Sequence, residues 1–289
     1  MDNNRFSKII KVSLLPQYLD SETMYDRFNS AALEEEEDIV RSQNSPGYKL
    51  TDNYEIENDR LKYFVEKKEE LENEFLKTLQ TRITKSQAEL FCNLISEYWH
   101  DGKTKRSSLE VKKLFASIKN YLLGYRIASS PENIKVINDI DPSIEISFED
   151  DEIKAIIDVN REMIDFHTQK WIESRSDYLE INSETLHCRR GLFLKEIFVD
   201  NSEYYEWDFI NSYSLGFTVT EKFAQMSKGD IPVIINKNLS DVRDRIIFFS
   251  PFIKGMPIHQ FELGVIPHVN IMLCKSQGEF GGIHEFIIE

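Results

Sequence analysis

The spacing of apolar residues changes once along this chain, and that change restricts the fold more than any other feature. In the first part apolar residues recur every three or four positions, whereas after about Ser183 they come in short β-rich runs. From Asn53 to about Thr81, Leu61, Phe64, Val65, Leu71, Phe75 and Leu79 form one helical stripe on a heavily charged background. Ser86, with Glu89 at capping-box spacing, predicts a second helix carrying Leu90, Phe91, Leu94, Ile95, Tyr98 and Trp99 on one side. Ser107 and Glu110 predict a third, with Val111, Leu114, Phe115, Ile118, Leu122 and Tyr125. A fourth begins near Asp151 and buries Ile153, Ile156, Ile157, Met163 and Ile164. The later runs are TLHCRRGLFL, WDFINSYSL, IPVIIN, RIIFFS, QFELGVI, VNIMLC and IHEFIIE. Strands in succession with few helices between them predict a mostly antiparallel sheet, hence an α+β fold.

At 289 residues the chain suffices for one large domain or two small ones. Its net charge of −15 argues against a surface that holds phosphate backbones or anionic lipid unspecifically. Cys92, Cys188 and Cys274 lie far apart without a CxxC pair, so reduced buried thiols are expected rather than disulfides or a cysteine zinc site. No apolar stretch reaches 18 residues and no signal-peptide pattern opens the sequence, so a soluble cytoplasmic protein without a membrane partner is expected. The six histidines form no HExxH, so no metal is expected; GxGxxG and GxxxxGK[ST] are also absent. The acidic run Glu34 to Asp38 and the polar segment after it look like a mobile connection.

Three short motifs follow one another on separate predicted strands: Arg189-Arg190-Gly191-Leu192, then Ser212-Tyr213-Ser214 with Phe223 beyond it, then Gln260-Phe261-Glu262. Glu262 lies amid QFELGVI, whose residues are expected to be half buried, and there a carboxylate without a purpose is costly. In this order the motifs resemble the mono-ADP-ribosyltransferases of the arginine, serine, glutamate class, which include clostridial Rho-modifying exoenzymes and binary actin-modifying toxins. The segment IKNYLLGYRI is similar to the helix that precedes the sheet in that family. The resemblance spans roughly residues 107 to 289. It implies a two-sheet catalytic core over 106–289, with 1–105 a helical accessory region.

The resemblance implies NAD as co-substrate and a toxin or effector that modifies a macromolecule. Glu262 is then the carboxylate that stabilises the oxocarbenium-like ribose carbon, and Gln260, on the same face of an alternating strand, addresses the acceptor. Ser212 orients Glu262 and Ser214 supports the strand. The NAD-binding arginine is Arg189 or Arg190, with Arg190 preferred for the Gly191-Leu192 that follows; Gly191 permits close approach to the carboxamide. Phe223 stacks on nicotinamide. Tyr213 departs from the family's Thr, and Glu285 in IHEFIIE is a rival carboxylate. The loop SPFIKGMPIH is expected to face the acceptor through an exposed Phe252, with His259 beside it. Acceptors compatible with Gln260 are protein side chains and bases of RNA or DNA, the charge favouring protein. An antitoxin or immunity protein is a candidate partner. The competing class is a binding or assembly protein on a catalytically dead version of the same fold.

Overall fold

The computed structural model describes residues 54–99, 108–134, 140–174, 186–206, 208–225, 230–280 and 282–288, less the side chains of 54–59, 217, 218, 259 and 280. The expected connection around 28–53 and the His259 side chain lie outside these. The single stripe over 53–81 becomes two helices, α1 (Tyr54–Glu66) and α2 (Lys68–Gln80), separated at Lys67 without a Pro or Gly to mark the break. Helix α3 (Lys85–Asn93) is capped by Thr84, whose Oγ1 accepts the Gln87 N–H; Ser86 is already inside the first turn. It runs on as a π-helical turn, Leu94–Trp99, which wraps more residues per turn than an α-helix. Helix α4 (Leu109–Gly124) takes Ser108 as its cap. In α5 (Asp150–Glu173) Glu149 and Glu152 cap each other reciprocally, and the predicted apolar stripe is buried.

The later runs form β1 (His187–Leu194), β3 (Asn211–Ser214), β4 (Ile231–Asn238), β5 (Ile246–Phe249), β6 (Glu262–Val265), β7 (Met272–Phe280) and β8 (Ile283–Ile288). A three-residue β2 (Ser202–Tyr204), too short to show a periodicity, completes the set. Helix α6 (Phe217–Ala224) follows β3, and α7 (Leu239–Val242) follows β4. The strand order is β2-β7-β8-β4-β1-β3-β6-β5, and every neighbouring pair is antiparallel except β4 with β8. The class is therefore α+β with a mixed, mostly antiparallel sheet. The expectation of two sheets is corrected: β1 pairs with both β4 and β3, so the two halves join into one eight-stranded sheet.

Helices α1 to α5 share one hydrophobic core with β5 and β6. Phe64 meets Phe249 edge-on at 5.1 Å between centroids, and Phe75 stacks on Phe252 at 5.9 Å. Phe252 is thus core and not the exposed aromatic of an acceptor-facing loop. Asn160 of α5 donates to the Ile247 carbonyl at 2.8 Å, which ties the longest helix to β5. A second core, with Leu194, Val233, Ile235, Cys274 and Phe286, lies under β2, β7 and β8. The cysteines are free thiols, and burial pushes Cys92 and Cys188 up to about 12. Among the described residues no helix is long and apolar enough to cross a membrane.

Candidate active site

In an antiparallel ladder, directly opposed residues project to the same face and successive residues alternate. Arg189 opposes Ser214, and Ser214 opposes Glu262, so β1, β3 and β6 place these three in one row. Ser212 lies two residues before Ser214 and joins the same face. Its Oγ donates to Glu262 Oε1 at 2.5 Å. Ser214 donates to the Gln260 carbonyl at 2.7 Å and accepts the Gly216 N–H at 2.9 Å, tying the end of β3 to the turn that leads into β6. Ser250 Oγ accepts the Glu262 N–H at 2.9 Å and fixes the start of that strand. With strands spaced about 4.8 Å apart, Arg189 and Glu262 stand roughly 10 Å apart across two strands, within reach of one dinucleotide.

Arg190 takes the other face. Its guanidinium donates to Asn211 Oδ1 at 2.5 Å and lies 3.5 Å from Asp208. That face carries a buried charged network centred on Glu206, which accepts from Tyr213 Oη, Lys237 Nζ, Arg245 Nη1 and the His268 N–H at 2.6 to 3.1 Å. Burial alone would raise the Glu206 carboxyl, but Arg245, Lys237 and the His268 N–H outweigh it and hold it well below the usual carboxylate range. Tyr213, the departure from the family's Thr, is thereby accounted for: its hydroxyl reaches a carboxylate that a Thr at this position would leave with one donor fewer.

Gly191 shares the face of Arg189 but sits beneath α6. A Cβ there would meet Phe223 Cβ at 2.8 Å and the Ala224 backbone nitrogen at 2.9 Å, and would come still closer to the Thr220 carbonyl oxygen. Its lack of a side chain is what seats the helix, and Phe223 rests half-buried beside it. Gln260 is not a strand neighbour of Glu262. It ends a 3-10 turn (Ile258–Gln260), and Phe261 between them is left-handed at φ 43°, ψ 42°. A bulky residue in that region is strained and is held there by its surroundings. The alternation that would align Gln260 with Glu262 is therefore broken at Phe261. The rival Glu285 is buried on β8, where Asn236 Nδ2 donates to it at 2.9 Å. It lies four strand positions from β6, roughly 19 Å, too far to share a reaction centre with Glu262.

One site residue went unrecognised in the sequence. Trp99, at the end of the π-helical turn, donates its indole N–H to Glu262 Oε1 at 3.0 Å. In the stripe of the second predicted helix it is indistinguishable from a core aromatic, and no local motif signals the contact. With both donors in place Glu262 is 8% exposed, Arg189 1% and Trp99 3%. The site is thus a nearly closed carboxylate with hydroxyl and indole donors and a guanidinium in the same row. The two donors on one oxygen hold the carboxyl group in a fixed orientation. Among the described residues no group of three or more His, Cys, Asp or Glu side chains is arranged to hold a metal ion. Compared with known proteins, the chain matches no protein-family model, no curated protein and no solved structure.

Proposed function

We infer that the chain is an NAD-dependent mono-ADP-ribosyltransferase, a toxin or effector that transfers ADP-ribose to a macromolecular acceptor, by preference a protein side chain. The observation that carries this reading is the Ser212 to Glu262 hydrogen bond on a sheet face that Arg189 and Ser214 share by register. When the bond between ribose C1′ and nicotinamide breaks, its electron pair leaves with the nicotinamide and positive charge grows on C1′. A fixed carboxylate beside that carbon lowers the barrier electrostatically. The acceptor then bonds to C1′ and releases its proton to solvent. Both donors on Glu262 meet at Oε1, so neither of them engages Oε2, the oxygen we assign to the ribose.

Arg189 is the guanidinium we assign to the diphosphate, because it shares the row of Ser214 and Glu262 while Arg190 takes the opposite face. Phe223, on the helix over β1, remains the residue for the nicotinamide ring. Gln260, half-buried on the turn before β6, faces the acceptor. Arg189 and Glu262 are nearly closed to solvent, so binding NAD requires local opening around them. The charge of −15 disfavours a nucleic-acid acceptor. An antitoxin or immunity protein is the partner class that such an activity implies.

The test is mass spectrometry of cell protein and nucleic acid after incubation with NAD and the wild-type chain or Glu262→Gln. The expected result is added ADP-ribose on protein with the wild type, reduced about a thousandfold by the variant. Label on RNA or DNA would reassign the acceptor. Neither label nor nicotinamide release with the wild type would refute the enzyme and leave the binding-protein class.

A further inference from the structure

We propose that Trp99 is a positioning residue for Glu262, so that the helical segment before residue 100 forms part of the reaction centre rather than an appendage to it. The proposal rests on the role of Glu262 inferred above.

A carboxylate held by one hydroxyl can still turn about its last bond. Ser212 alone, at 2.5 Å from Oε1, leaves that freedom; Trp99 brings a second donor to the same oxygen from a different element, at 3.0 Å. Two donors fix Oε1 and thereby set the direction of Oε2. The indole itself is held: its ring meets Phe115 at 6.4 Å and Phe248 at 6.1 Å edge-on, and Phe115 stacks on Phe209 at 5.6 Å. The sheet makes room for this stack at Gly264, two residues along β6 from Glu262, where a Cβ would come within 2.7 Å of Phe248 Cζ. Trp99 is therefore braced by Phe248 of β5, which packs over Gly264 on the strand that carries the acid.

The chemistry of the indole narrows its role. Its N–H donates and does not accept, and it keeps its proton across the working pH range. It cannot serve as acid or base. What it contributes is the orientation of the Glu262 carboxyl group. A buried tryptophan that merely needs a partner for its N–H would be satisfied by any carbonyl; here the partner is the one carboxylate assigned to the chemistry.

The experiment compares NAD hydrolysis by the full chain with Trp99→Phe, which keeps an aromatic ring and removes the donor, and with Phe115→Leu, which loosens the same stack without touching the hydrogen bond. Trp99→Phe is expected to lower kcat about tenfold with KM within about twofold. Phe115→Leu should lower kcat by less than about twofold. Independently of turnover, Glu262→Gln should shift the Trp99 indole resonance and leave those of the other two of the three tryptophans where they are. A Trp99→Phe variant with wild-type kcat, an equal loss of kcat in Phe115→Leu, or an unmoved indole resonance would overturn the positioning role. A wild type that hydrolyses no NAD would overturn the enzymatic reading itself, and the role with it.

Discussion

Adding one methyl group at Gly191 tests whether α6 is seated on β1 as described. The new Cβ would stand 2.8 Å from Phe223 Cβ and 2.9 Å from the Ala224 nitrogen, with the Thr220 carbonyl nearer still. Ordinary carbon contacts lie at about 3.5 to 4.0 Å, so the helix must lift by roughly 1 Å. Two of the three obstructing atoms are backbone, and no side-chain rotation relieves them. Overpacking of this kind costs about 1 to 3 kcal/mol, and rigid backbone puts it at the upper end. Alanine recovers about 0.5 to 1 kcal/mol by restricting the unfolded chain. The clash wins, and a net loss of about 2 kcal/mol lowers Tm by roughly 4 to 8 °C in a domain of this size. Lifting α6 also carries Phe223 away from β1, so NAD affinity should weaken. Differential scanning calorimetry and NAD titration read the two effects. A Gly191→Ala chain that melts within about 1 °C of wild type would refute the packing and the assignment of Gly191 to it.

The two adjacent arginines separate by face: Arg189→Lys should raise the NAD Kd at least about tenfold, whereas Arg190→Lys should leave it nearly unchanged and cost about 1 to 3 kcal/mol of stability through Asn211 and Asp208; isothermal titration and urea melts giving the reverse order would move the diphosphate site to Arg190. Burial lowers the His167 pKa from its ordinary 6.5 despite the Glu74 carboxylate 3.0 Å away, so the unfolded chain takes up a proton there at a higher pH than the folded one. Stability should accordingly fall as pH drops below about 6.5 towards the lowered folded value, and urea midpoints for His167→Asn should decline less steeply over that window; an equal slope would show that His268, shifted the same way, and the carboxylates account for it.

Periodicity carried the architecture further than it carried the site. All seven apolar runs after Ser183 contain a strand, and the stripes of α2 and α5 are the buried faces. Helix starts shifted by one or two residues, to Thr84, Ser108 and Glu149, because neighbouring hydroxyls and carboxylates compete for the same orphan N–H groups. The two-sheet expectation came from the resemblance, and pairing between strands far apart in sequence leaves no local trace. Within the site, Ser212 and Glu262 were legible as motifs. Which of Arg189 and Arg190 shares the face of Ser212 and Glu262 was not, since a one-residue difference reverses the face and only the register with Ser214 shows it. Gln260 was misaligned because alternation presumes an extended backbone, which Phe261 breaks. Trp99 was hidden for another reason: 163 residues separate it from its partner.

The parallel pairing of β8 with β4 sets the order of assembly. The last strand in chain order lies third from one edge, with β7 on one side and β4 on the other, so it bridges the β2-β7 ribbon to the remaining five strands. Until residues 283–288 have left the ribosome, β4 ends the sheet with an open row of amide and carbonyl groups, and the second core has no Phe286 to close it. A chain truncated before residue 283 would therefore keep β4 as an open edge and stay exposed to proteases.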